Sequence, residues 1–226
     1  MVEHPGDRLR QGAAVLVPLA MPLAMKAVFR ASTRRFGSQR GYQAGFAVYW
    51  ATCWGVAAAL VGPRRLAALW HPGNTELPDP PFLAATVLAV PPLGAITTQW
   101  LPNARDAGPV GIAAAAGVGI TNALAEEALW RGVPVSLFPG APVRGWLWPA
   151  LGFTAWHLVP LTAQPTSGAR RASVFAGAAA IGLGNGWIAY RTGSLLVVSA
   201  VHAITDASGL RQVGSTWLRR APLPDS

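Results

Sequence analysis

Long stretches without Asp, Glu, Lys or Arg alternate with short basic breaks along this chain. The charge-free runs occupy 41–63, 80–104, 107–125, 145–169 and 172–190, with shorter ones at 11–25 and 192–205. A helix that crosses a bilayer needs about 20 mostly apolar residues. Helices in a soluble core average about 10–14. The pattern therefore predicts seven membrane helices, at Ala13–Phe29, Ala44–Val61, Phe82–Trp100, Val110–Trp130, Trp146–Leu161, Ser173–Tyr190 and Ser194–Leu210. The first holds Lys26, Pro18 and Pro22, and the third holds Pro91 and Pro92, so both are expected to kink. Prolines are tolerated in membrane helices where neighbours satisfy the freed carbonyls.

Composition supports the same class. Of 226 residues, 52% are hydrophobic and only 12% are charged, against about 25% charged in soluble domains. Ala and Gly fill much of the apolar runs, which keeps mean hydropathy at +0.34. Small residues let membrane helices approach closely, and Gly182 and Gly186 form one GxxxG. Ten Trp fit interfacial anchoring, and the single cysteine, Cys53, excludes an internal disulfide framework. The net charge is +9. A nucleic-acid binder gathers its cations on one face, but these are scattered between apolar runs, so no nucleic-acid partner is expected. With seven spans, more cations fall on the side of the C-terminal tail, which places the C-terminus in the cytoplasm. The N-terminal apolar run lacks a clear cleavage site and reads as the first span rather than as a signal. The expectation is an all-α, polytopic transmembrane bundle of a cell membrane, with the bilayer as its first partner. Its parts are N-terminal helices over 1–108, a motif-bearing core over 109–210 and a basic tail over 211–226.

Ionisable residues inside apolar helices are costly and usually face the bundle interior, where they mark function. Five stand out: Glu126, Glu127, His157, His202 and Asp206. Glu127 and Arg131 are four apart and share a helix face, which allows a neutralising ion pair. Glu126 is rotated about 100° from Glu127, toward a different neighbour. Phe153 and His157 are again four apart, and so are His202 and Asp206. A carboxylate beside an imidazole fixes its tautomer and raises its basicity. The plainer alternative for the first group is the polar end of a span, with Arg131 reaching to water.

Two chemistries suit such a set. A carboxylate and an imidazole can act as general base and acid on water. Alternatively, one carboxylate and two histidines, Glu126, His157 and His202, form a three-ligand site for a catalytic metal, with zinc the candidate. Both give hydrolysis. No serine has a nucleophile context such as GxSxG, and Cys53 reads as apolar filler.

The three segments resemble the CPBP family of intramembrane proteases, which includes the type II CAAX prenyl endopeptidase and bacteriocin-processing or self-immunity proteins. The family's marks are EExxxR, FxxxH and HxxxN or HxxxD on successive helices. Here they stand as Glu126-Glu127-Ala128-Leu129-Trp130-Arg131, Phe153-Thr154-Ala155-Trp156-His157 and His202-Ala203-Ile204-Thr205-Asp206. Gly186-Trp187-Ile188-Ala189-Tyr190-Arg191-Thr192-Gly193-Ser194-Leu195 also looks like the run before the last motif. The resemblance covers about 109–210. It implies that Glu126 activates water with His157 as its partner, and that Glu127 and Arg131 support the site. It also implies that His202 and Asp206 stabilise an oxyanion or ligate a metal. An ionised Asp only accepts hydrogen bonds, so the expectation here is that His202 is the oxyanion donor and Asp206 holds it.

The function that follows is an intramembrane endopeptidase acting on a membrane-associated protein or peptide. The Ala-, Arg- and Pro-rich composition, like that of a GC-rich bacterial genome, ranks such a substrate above a prenylated tail. Two alternatives stand beside it: a non-enzymatic immunity or binding protein on the same scaffold, and a proton-coupled transporter. The transporter reading lacks the repeated halves common in that class.

Overall fold

The computed structural model describes residues 5–72, 76–162 and 167–218, and all regular structure among them is helical. Glu3 and His4, and the Arg219, Arg220 and Asp225 part of the expected tail, lie outside the described residues. The helices are α1 Pro5–Phe36, α2 Ser38–Val61, α3 Pro63–Ala68, α4 Pro81–Ala95, α5 Leu101–Glu127, α6 Val133–Leu137, α7 Trp148–Trp156, α8 Leu158–Thr162, α9 Gly168–Thr192, α10 Leu196–Ala207 and α11 Leu210–Trp217.

Four helical runs among the described residues are long and apolar enough to cross a membrane: Gly6–Phe36, Ser38–Val61, Pro81–Leu137 and Gly168–Thr192. The expected seven separate spans are redistributed. Phe82–Trp100 and Val110–Trp130 fall inside the one run Pro81–Leu137, which turns at Gly108. Gly108 has φ 62° and ψ 177°, a backbone open to glycine. The following Pro109 also disfavours a helical residue before it. Trp146–Leu161 is not one helix: α7 has nine residues and gives way to the short α8. Ser194–Leu210 shrinks to the twelve residues of α10, and the first part of the expected tail is the helix α11.

Wide π turns interrupt the helices at Ile96–Trp100, Ala128–Gly132 and Val143–Leu147. Each runs into a helix whose second residue is proline: Pro102, Pro134 and Pro149. Proline has no N–H to donate, and its ring collides with the carbonyl four residues back. Opening the preceding turn to the i→i+5 register removes that collision without ending the helix. One of these turns carries Arg131, directly after the two glutamates.

The main core joins both halves of the chain. Met21, Met25 and Phe29 of α1 pack with Tyr49, Cys53 and Ala57 of α2, and with Trp130, Phe153, Trp156 and Ile181. Outward faces are apolar as well: Leu16, Leu19, Leu23, Phe82, Val90 and Leu93 are exposed. Only 22% to 39% of the most hydrophobic window of each long helix is buried within the molecule. Contiguous exposed apolar surface of this extent suits lipid.

Candidate active site

Helices α5 and α10 approach closely at Gly119. A Cβ there would lie 2.6 Å from the Ala207 amide nitrogen and 2.9 Å from its Cα. Glycine thus lets the backbones meet, and two turns further along α5 this contact sets Glu126 and Glu127 against His202 and Asp206.

Glu127 is fully buried and forms the base of the cluster. Its Oε1 accepts a 2.8 Å hydrogen bond from His202 Nδ1. Arg131 Nη1 lies 3.2 Å from the same oxygen as an ion pair, realising the expected i,i+4 contact. Arg131 also donates from Nη2 to the Ile181 carbonyl at 3.1 Å. Its guanidinium sits 4.1 Å from the Phe153 ring centroid, where the ring quadrupole attracts a cation. Phe153 also meets the His157 and His202 rings edge to face.

Glu126 turns the other way, as its 100° rotation predicts. Its Oε1 accepts from Tyr49 Oη and from Trp156 Nε1, both at 2.9 Å. Its Oε2 is buried without a hydrogen-bond partner, 3.4 Å from His202 Nε2. Asp206 Oδ2 lies 3.5 Å from that same nitrogen and accepts from Asn122 Nδ2 at 2.7 Å. His202 is therefore oriented through Nδ1 by Glu127, not by Asp206 as expected. An ionised carboxylate only accepts, so Nδ1 carries the proton, and Nε2 faces Glu126 and Asp206.

His157 stands apart from the expected pairing. It follows the last residue of α7, and its Nδ1 donates to the Phe153 carbonyl at 2.8 Å. That bond caps the end of the short helix. The partners of Glu126 are Tyr49, Trp156 and His202 rather than His157. The expected metal-ligand set changes for the same reason. Glu126, His202 and Asp206 offer ligand atoms all within 4.8 Å of one another, and His157 is not in that group.

The donor set fits a metal such as zinc. Two carboxylates and an imidazole are suitable ligands, and tetrahedral bonds of about 2.0 Å put ligand atoms roughly 3.3 Å apart. The 3.4 and 3.5 Å separations around His202 Nε2 match that spacing. Glu126 Oε2 is a buried oxygen with no other partner. Glu127 on His202 Nδ1 is the carboxylate–imidazole support usual behind a metal ligand.

Four residues of the site escaped the sequence reading: Tyr49, Trp50, Asn122 and Trp156. Trp50 Nε1 donates to Asn122 Oδ1 at 2.8 Å, and Trp130 Nε1 donates to Tyr49 Oη at 2.9 Å. Asn122 had a legible signal, a polar amide one turn before Glu126 in an apolar helix. Trp156 adjoins His157. Tyr49 and Trp50 carried none, because their partners are more than 70 residues away.

Four long apolar helical runs, with a buried carboxylate–imidazole cluster inside the bundle, are those of a multi-pass membrane protein. Residues 108–208, somewhat under half of the chain, match the family model Type II CAAX prenyl endopeptidase Rce1-like, so this stretch is similar to that protease family. All three motifs lie within the matched residues. Neither a curated protein nor a solved structure matches the chain.

Proposed function

We propose that the protein is an intramembrane endopeptidase that hydrolyses a peptide bond of a membrane-associated protein or peptide. The observation that carries this reading is Glu126 Oε2, a buried carboxylate oxygen without a hydrogen-bond partner beside His202 Nε2. Glu127 Oε2 is also without a partner, but Glu126 Oε2 alone lies against His202 Nε2, with Asp206 Oδ2 beside the same nitrogen, where a water or substrate would meet all three.

Glu126 takes a proton from the attacking water at Oε2 and later returns it to the leaving amine. His202, held at Nδ1 by Glu127, presents Nε2 to the developing oxyanion. Donation there requires the Nε2 proton. Preorganised donors of this kind account for much of the rate of acyl transfer. Arg131 balances Glu127, and Phe153 supports Arg131. His157 stays at the rim of the site as a second acid–base group.

If a metal such as zinc is the working form, Glu126 Oε2, His202 Nε2 and Asp206 Oδ2 would hold it, and it would polarise the scissile carbonyl. His202 then keeps its Nε2 lone pair. Seven helical segments enter the membrane on this reading: α1, α2, α4, α5, α7, α9 and α10. The protein resides in the cell membrane with its C-terminus in the cytoplasm.

The test is reconstitution in liposomes with a panel of membrane peptides, prenylated and unprenylated, each with and without chelator. Cleavage of unprenylated peptides is expected. Loss of cleavage with chelator, restored by zinc, assigns the metal form, and insensitivity assigns the metal-free form. No cleavage of any peptide would favour the immunity or binding reading.

A further inference from the structure

The family match begins at residue 108, yet two consecutive residues of α2 reach the site's two working carboxylates. Tyr49 Oη donates to Glu126 Oε1. Trp50 Nε1 donates to Asn122 Oδ1, whose own amide donates to Asp206 Oδ2. We propose that α2 is the positioning element of the site, with Tyr49 fixing the Glu126 carboxylate directly and Trp50 fixing Asp206 through Asn122. The inference deepens the peptidase reading and rests on it for its catalytic meaning.

The two oxygens of Glu126 are made unequal. Oε1 receives two donors, Tyr49 Oη and Trp156 Nε1, whereas Oε2 receives no hydrogen bond. A carboxylate held by one oxygen cannot rotate freely, so the other oxygen is always the one offered to the reaction. Tyr49 is itself locked. It stacks on Trp156 with ring centroids 3.7 Å apart, and its oxygen accepts from Trp130 Nε1. A phenol whose acceptor side is taken by an indole N–H has its own proton free for Glu126. Tyr49 is completely buried, so water does not replace it there.

The second branch has the same logic. An amide side chain can bind either way round, but Trp50 carries only a donor and therefore fixes Asn122 Oδ1. That leaves Nδ2 to face Asp206, on the oxygen that also lies by His202 Nε2. Trp50 stacks on Trp217 of α11 at 5.6 Å and 8°, which holds its indole in plane. Both branches start from adjacent positions of one helix, so a small shift of α2 would move both carboxylates together.

The experiment uses the full-length protein in detergent micelles, labelled with 13C at the Glu and Asp side-chain carboxyls. There are four Glu and five Asp in the chain, so individual NMR lines are assignable. Loss in E126Q, and separately in E126D, identifies the Glu126 line. D206N identifies the Asp206 line. Y49F is expected to shift the Glu126 line and leave that of Glu76 in place. W50F is expected to shift the Asp206 line. Incorporation of 3-fluorotyrosine, which keeps the ring's shape but alters its acidity, covers the case in which Y49F does not fold, and the Glu126 line should again move. On a cleaved peptide, Y49F should lower kcat by about tenfold or more with KM held, the loss of one hydrogen bond to a charged group. A Glu126 line unmoved by the tyrosine changes, or an Asp206 line unmoved by W50F, overturns the proposal. The lines are read without substrate, so absence of cleavage by the wild type would remove the peptidase reading and leave this result to stand or fall separately.

Discussion

His202 touches three carboxylates through two nitrogens, and the division of labour between those nitrogens decides the chemistry. Nδ1 is committed to Glu127 at 2.8 Å, while Nε2 faces Glu126 and Asp206 at 3.4 and 3.5 Å. Glu127 in turn needs Arg131. Removing one partner of a buried ion pair leaves the other charge uncompensated, which costs about 3–5 kcal/mol. R131L is therefore expected to lower stability by about that amount in a denaturation series. On the proposed mechanism Asp206 acts through its charge beside Nε2, so D206N should reduce kcat by about tenfold or more. An unchanged kcat in D206N would exclude an essential negative charge there. Local spacing made the Glu127–Arg131 pair and the His202–Asp206 face legible in the sequence, since neighbours four apart on a helix meet whatever the fold does. It could not show which carboxylate holds Nδ1. That depends on how α5 and α10 cross, not on spacing within either helix. Nor does spacing show that α7 ends before His157, whose Nδ1 turns back to the Phe153 carbonyl.

Close backbone approach and proline-opened turns carry the site at the level of the elements. Gly119 permits the α5–α10 contact, and a methyl group there would meet the Ala207 backbone at 2.6 Å. Forcing extra carbon into a packed contact typically costs about 1–3 kcal/mol. G119A is expected to lower the melting temperature and to reduce cleavage, because it pushes Glu126 away from His202. Gly117 has nothing within 4 Å of the same added atom. G117A should therefore raise stability by about 0.5–1 kcal/mol, the ordinary gain of Ala over Gly within a helix. Equal effects of the two changes in thermal melts would remove the crossing argument. Charge-free runs located α2 and α9, whose length decides them, and also α1, although α1 extends through charged residues well beyond Ala13–Phe29 at both ends. They located α10 to within three residues at each end but overran α7, because hydropathy cannot see where Pro149 opens a turn.

Among the described residues, the long helices expose apolar faces and the buried Glu, Arg and His side chains gather in one cluster. With most of its longest helices' hydrophobic windows unburied, the protein is expected to stay in the membrane pellet after alkaline carbonate extraction. Release into the supernatant would contradict membrane integration. The core shared by α1, α2 and the matched region also means that the first half of the chain is part of the same folding unit as the motifs. Motif spacing assigns those helices no role, because long-range contacts such as Tyr49 to Glu126 leave no periodic trace. Glu126 is proposed as the base of a peptide-hydrolysing centre. The most direct measurement is the single-turnover rate on one cleaved membrane peptide in liposomes, wild type beside E126Q, with folding of the variant confirmed by its melt. General-base catalysis contributes about 10²–10⁴-fold, so a folded E126Q should lose at least a hundredfold in rate. A folded E126Q that cleaves at the wild-type rate would contradict the account.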